Sequence, residues 1–311
     1  MQLYVHFEES SGNMRYRRRL HRRETKRQRK IIILSLLTVL LCFSFGYAAF
    51  STNIKMNAKG NLKNIDKEVD SKVSMSELLF WGEADNKDNT LITLKNKVST
   101  GTDGAMHGFQ NDFLSGYNDG NIIFDGNDDY IDIGLTNYDF KNTVSYIVYV
   151  KLNNIEKHQI IFGSWEGEKG ASGIYFNNRN DDTKGFVFDV YDGVSYHGAV
   201  SKFVPNTNKY YTVVGTYDNN NSKIYIDGQL YASASAGVAL GISGSSEKIG
   251  CYDYFNNGSC VSFASMSLKE VMLYDRVLTE NEAIDITKGF EKNIVCRMYR
   301  KILHLHELTK I

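Results

Sequence analysis

At 311 residues the chain is long enough for two domains of about 150 residues or for one large all-β domain. Apolar residues at 42% and aromatics at 13% exclude a wholly disordered chain, four cysteines exclude a disulfide-dense scaffold, and a single proline excludes a proline-rich or collagen-like one. The net charge of +0 averages unlike parts: Lys/Arg outnumber Asp/Glu ten to three in residues 1–30 and five to two in 290–311, while acids lead 31 to 21 between them, so the body is a poor binder of polyanions and no nucleic-acid partner is expected.

Residues 1–30 form a basic cytoplasmic segment, and residues 31–50 carry no charge. Twenty apolar residues span a hydrocarbon core of about 30 Å as a helix. The basic flank stays on the cytoplasmic side, which sends the C-terminal bulk outward. Two readings remain open: a transmembrane anchor making a single-pass membrane protein, or a signal peptide cleaved after the small residues around Ala48, giving a secreted one. Residues 51–77 are polar and read as a linker.

Short β-type runs follow. In residues 143–150, Val144, Tyr146, Val148 and Val150 share one face, with Ile147 and Tyr149 on the other. Phe186, Phe188 and Val190 alternate with Asp189 and Tyr191. Residues 211–217 and 223–226 flank an Asp/Asn-rich hairpin loop, and Asp227-Gly228 supplies a second tight turn. Asp125-Gly126 bends residues 122–133 into strand, turn, strand. Many short strands without intervening helices predict a sandwich or barrel, not a parallel α/β sheet. Thr279-Glu-Asn-Glu282 predicts a capping box opening one short helix. In the basic tail, residues 289–311, Ile294, Met298, Ile302 and Leu305 lie at helical spacing.

Four motifs occur in order over residues 78–288: Phe124-Asp-Gly-Asn-Asp-Asp-Tyr-Ile-Asp-Ile, Gly215-Thr-Tyr-Asp with Lys223-Ile-Tyr-Ile-Asp-Gly, Ile249-Gly, and Leu268-Lys-Glu-Val-Met-Leu-Tyr-Asp-Arg. This stretch resembles a laminin G-like domain of the concanavalin A-like lectin/glucanase superfamily, in its bacterial, pentraxin-related form. The resemblance implies an all-β, two-sheet antiparallel jelly-roll sandwich. With the elements above, the expected chain is an N-terminal transmembrane helix, a linker, the jelly roll and a short C-terminal helix.

Such folds carry lectins, adhesion modules and glycan hydrolases, so function must come from residues. Glycoside hydrolysis needs two carboxyls flanking the scissile bond. Glu166-Gly-Glu168 has no third acid to complete the glucanase pattern. Asp128, Asp129 and Asp132 read as turn residues. His306-Glu307 lacks the second histidine of a zinc-protease motif. The expectation is a non-catalytic binding or adhesion module for glycan or a surface protein. A glycan-processing hydrolase and a structural envelope protein are the alternatives.

The candidate ligand-binding residues are Trp165, Tyr191, Tyr196, Tyr252 and Tyr254, since the C–H face of a sugar ring packs on an aromatic ring. Resemblance to pentraxins implies a calcium site, with Glu166 and Glu168 in one loop and Asp253 in the other; there Tyr252 and Tyr254 stand where carboxylates are expected, and so few acids do not make a tight site. Cys251 and Cys260 lie nine apart on the oxidising side of the membrane, where a disulfide is feasible; two thiols are the alternative. Cys42 lies in the apolar run and Cys296 in the tail.

Overall fold

The computed structural model describes residues 73–85, 92–99, 101–135, 143–166, 170–177, 184–191, 194–235, 244–253 and 257–292. The basic segment, the apolar run at 31–50, nearly all of the linker and the helical positions of the tail lie outside these residues. Among the described residues no helix is long and apolar enough to cross a membrane.

Sixteen strands are described, in chain order β1 (Leu78–Glu83), β2 (Thr93–Leu94), β3 (Gly104–His107), β4 (Gly116–Tyr117), β5 (Ile122–Asp125), β6 (Tyr130–Asp132), β7 (Val144–Leu152), β8 (Gln159–Glu166), β9 (Gly170–Phe176), β10 (Phe186–Tyr191), β11 (Ala199–Val200), β12 (Tyr211–Tyr217), β13 (Asn221–Ile226), β14 (Gln229–Ser235), β15 (Lys248–Ile249) and β16 (Ser265–Tyr274). They form two antiparallel sheets. The first runs β14-β13-β12-β7-β16-β5-β4, with β1 also pairing β16; the second runs β11-β10-β9-β8-β15-β6-β3-β2. One helix, α1, spans residues 280–292.

Alternation in the strands explains the layering. The even residues of β7, Val144 to Leu152, enter the core between the sheets with Phe162, Ile174 and Phe188 of the second sheet. The odd residues Ile147 and Tyr149 join a second cluster with Leu278, Ala283, Ile286 and Phe290. Both faces of β7 are therefore apolar because α1 covers the outer face of the first sheet, while the other sheet covers the inner one.

The predicted local signals appear where expected. Asp227 and Gly228 both take left-handed backbone angles, φ 49° and 76°, as a two-residue hairpin between β13 and β14 requires. Thr279 and Glu282 form the reciprocal capping box: the Thr279 N–H donates to Glu282 Oε2 at 2.9 Å, and the Glu282 N–H donates to Thr279 Oγ1 at 3.2 Å. Asp129 is buried in its turn, accepting from Ser115 Oγ at 2.9 Å and from the Asp125 N–H at 2.8 Å. Burial pushes its carboxyl up to about 6.

Cys251 and Cys260 are joined by a disulfide, with Cα atoms 5.7 Å apart. It sits beside the antiparallel bridge between Tyr252 and Val261. Reducing it is expected to cost about 2–3 kcal/mol, because opening this loop returns conformational freedom to the unfolded chain, a gain that grows with loop length and is modest for a separation of 9. Thermal melts with and without dithiothreitol check this; an unchanged midpoint counts against a stabilising bond.

Candidate functional site

The outer face of the second sheet carries an aromatic cluster. Trp165 is the penultimate residue of β8 and Tyr191 closes β10, and both are register partners of Ala171 on β9 between them. A small residue flanked by two large rings leaves a depression between the rings. Tyr196 returns to the same place by an antiparallel bridge to Tyr191, reinforced by the His197 N–H donating to the Val190 carbonyl at 2.9 Å. Ring centroids lie 5.1 Å apart for Trp165 and Tyr196, 4.6 Å for Tyr191 and Tyr196, and 5.5 Å for Trp165 and Tyr252. The Trp165 and Tyr191 rings are nearly parallel, at 9° and 6.3 Å.

These rings wall a shallow groove open to solvent. Its floor includes Gly163 and Gly173, which face each other across β8 and β9. A Cβ on Gly163 would lie 2.4 Å from the Ser172 carbonyl oxygen, and one on Gly173 2.6 Å from that of Phe162. The close approach of the two strands therefore depends on both glycines. Tyr196 is half exposed at 50%, Trp165 and Tyr191 are half-buried, and Tyr252 is buried at the base.

A β-bulge decides that Trp165 faces the groove. Register shifts between Ile160 and Phe162, and both Ile161 and Phe162 enter the core. Beyond that point the phase is reversed: Gly163 and Trp165 point to the groove, and Ser164 points inward to Glu247. Without the extra residue, strict alternation would turn Trp165 inward.

Two further groove residues escaped the sequence reading as ligand contacts. Asp189 and Tyr175 line the floor, with the Tyr175 hydroxyl donating to Asp189 Oδ2 at 3.2 Å. The available signal was a single acid in the otherwise apolar run of β10. Burial pushes the Asp189 carboxyl up to about 6, against the Tyr175 hydroxyl, the Val190 and His197 N–H groups and the His197 ring, which favour its charged form.

Behind the groove, in the sandwich interior, Ser164 Oγ donates to Glu247 Oε1 at 2.6 Å, and the Tyr146 hydroxyl lies 2.7 Å from Ser172 Oγ. Burial raises Glu247 to about 7. This polar group ties the groove strands β8 and β9 to β7 of the opposite sheet.

Of the other expected site residues, Tyr254 and Glu168 lie outside the described residues. Glu166 is buried and its Oε2 accepts the Gly244 N–H. Asp253 is buried and closes its own loop, accepting the Asn257 N–H at 3.2 Å and the Gly258 N–H at 2.6 Å. A calcium ion needs six to eight open oxygens. Glu166 and Asp253, engaged with backbone donors, do not by themselves fit that need. Among the described residues, the three acids whose oxygens come within 4.8 Å of one another are Asp125, Asp128 and Asp129, those of the turn.

A family model described as the concanavalin A-like lectin/glucanases superfamily matches residues 125–283, about half of the chain and all of the groove strands. The chain belongs to this superfamily. The laminin G-like resemblance and the two-sheet sandwich are thereby established together. No curated protein matches the sequence. Solved structures similar to this superfamily member share its fold at low identity. Domain 4 of a GH43 extracellular arabinanase from Geobacillus stearothermophilus, solved with arabinotriose, is 13% identical over 68% of this chain and 98% of that one, with a TM-score of 0.50. The receptor-binding domain of the botulinum neurotoxin C/D mosaic serotype is 14% identical over 70% of this chain and 52% of that one, at 0.51. A Trypanosoma rangeli sialidase solved as a covalent intermediate with difluorosialic acid is 16% identical over 69% of this chain and 33% of that one, at 0.50. The match thus spans a third of the sialidase and about half of the toxin domain.

Proposed function

We propose that the protein is a non-catalytic glycan-binding module, held at the cell surface by residues 31–50 with the sandwich outside the cell. The observation that carries the binding reading is the convergence of Trp165, Tyr191 and Tyr196 over Ala171 on an open sheet face. Partly exposed rings offer sugar C–H faces an apolar platform. A single described carboxyl, Asp189, lines the groove, whereas glycoside hydrolysis acts through two flanking the bond; this favours binding over cleavage. The surplus of basic residues ahead of the apolar run supports the orientation. The proposal requires no calcium.

Trp165→Ala is expected to weaken binding to any glycan the protein retains by about 30-fold or more, the effect of removing a central aromatic anchor worth about 2 kcal/mol. Titration of arabinotriose and a glycan array check it. Equal binding by the variant places the ligand elsewhere; hydrolysis of a bound glycan overturns the non-catalytic reading. Protease treatment of intact cells checks the orientation: a sandwich left undigested while other exposed proteins are cut overturns it.

A further inference from the structure

We infer that the groove selects uncharged sugars and rejects acidic ones, with Asp189 as the residue that sets this preference. The inference rests on the groove being the glycan site proposed above, and it adds the chemical class of the ligand. Its basis is the charge of the lining. No Lys, Arg or His is among the described residues that line the groove. Asp189 is the one acid among the described lining residues.

Asp189 is also placed to act strongly. It is 8% exposed, in the middle row of the groove floor, with Tyr175 on one of its oxygens. A charge with so little water around it is poorly screened, so a carboxylate, sulfate or phosphate on a sugar lying above it meets undiminished repulsion. His197 is a nearby basic group, and it is not among the described residues that line the groove. Glu166 and Asp253 lie buried beside the groove, and the buried Lys248, register partner of the floor residue Gly163, is taken up by Asp132 at 3.5 Å. Acids also outnumber bases, 31 to 21, across residues 31–289, so the long-range field repels anions as well. A sugar hydroxyl, by contrast, can donate to Asp189 and be held by it. Discrimination of this kind works by repelling the wrong ligand as much as by holding the right one.

The test is binding of the full-length protein at pH 7.5 to paired probes: lactose against sialyllactose, and arabinotriose and cellotriose against trigalacturonate. Neutral probes are expected to bind at least about tenfold tighter than their acidic counterparts, because like charges brought into contact cost affinity. Asp189→Asn is expected to close that gap, raising acidic-glycan binding about tenfold while the fold is retained by circular dichroism. The wild-type pairs carry the test even if that variant does not fold. Acidic probes bound as well as neutral ones, with binding still lost in Trp165→Ala, would overturn the selectivity and leave the site standing. Glycan binding indifferent to Trp165→Ala, or none to any probe, would remove the site and this inference with it.

Discussion

Replacing Gly215 with alanine is expected to lower the stability of the sandwich by about 2–3 kcal/mol, and valine there to prevent folding. Gly215 lies on the inner face of β12, paired with Tyr146 of β7. Phe188 of the opposite sheet fills the space that a side chain would take. An added Cβ would lie 2.2 Å from Phe188 Cδ2, 2.4 Å from Cγ and 2.9 Å from Cβ. Phe188 is fully buried and packs against the Tyr146 ring at 5.9 Å, so it has no free space to turn into. In a strand that tolerated it, Gly→Ala would gain about 0.5–1 kcal/mol from the lost freedom of the unfolded chain. The overlap outweighs this gain, and a fall in the melting midpoint of about 4–10 °C is the measurable result. Pairing Gly215→Ala with Phe188→Leu is expected to recover part of the loss in a double-mutant cycle. A neutral or stabilising Gly215→Ala would mean that the sheets separate easily at this point. The same contact bears on the groove, because Phe188 directed inward leaves its neighbour Asp189 directed outward.

The melting midpoint is expected to rise as pH falls from 8 to 5, by at least about 3 °C, the equivalent of about 1 kcal/mol for a domain of this size. Three buried carboxyls drive it. Glu247 is raised from an ordinary value of 4.5 to about 7, and Asp129 and Asp189 from 3.8 to about 6, each chiefly by burial. The folded state therefore binds protons more tightly than the unfolded chain. That stabilisation is complete below the ordinary values and is lost as pH rises through 6 and 7. Glu282 and Asp103 shift the opposite way, lowered by their hydrogen-bonding partners, so their contribution falls away only in more acid solution, below the window measured. Glu247→Gln is expected to flatten the dependence by roughly half, since the amide keeps the shape without the charge. Melts at pH 5, 6, 7 and 8 for both proteins decide it. A midpoint that climbs with pH would show these acids to be better solvated than their burial implies.

Much of the fold was legible because its signals are local. Alternation in residues 143–150 and 186–191 marks strands; Asp227-Gly228 marks a hairpin because both residues tolerate left-handed angles; Thr279 and Glu282 mark a helix start because they satisfy each other's backbone donors. Each is a matter of neighbours along the chain. The aromatic candidates were legible as residue types, and Trp165, Tyr191, Tyr196 and Tyr252 do meet on one sheet face.

Their meeting was not a local matter. Trp165 and Tyr191 are 26 positions apart and become neighbours only because β8 and β10 both pair β9 at Ala171. The bulge at Ile161 reverses the side-chain phase of β8, and no rule of alternation announces it. Asp189 acquires its place in the groove from the pairing of β10 with β9, and its raised proton affinity from burial, against the Tyr175 hydroxyl. Gly215 reads in sequence as a motif residue and takes its reason from Phe188 across the core. Composition and periodicity thus determined that two half-apolar sheets would form and pack. Register, bulge and the distance between sheets decided which side chains share a surface, because those depend on pairings between strands remote along the chain.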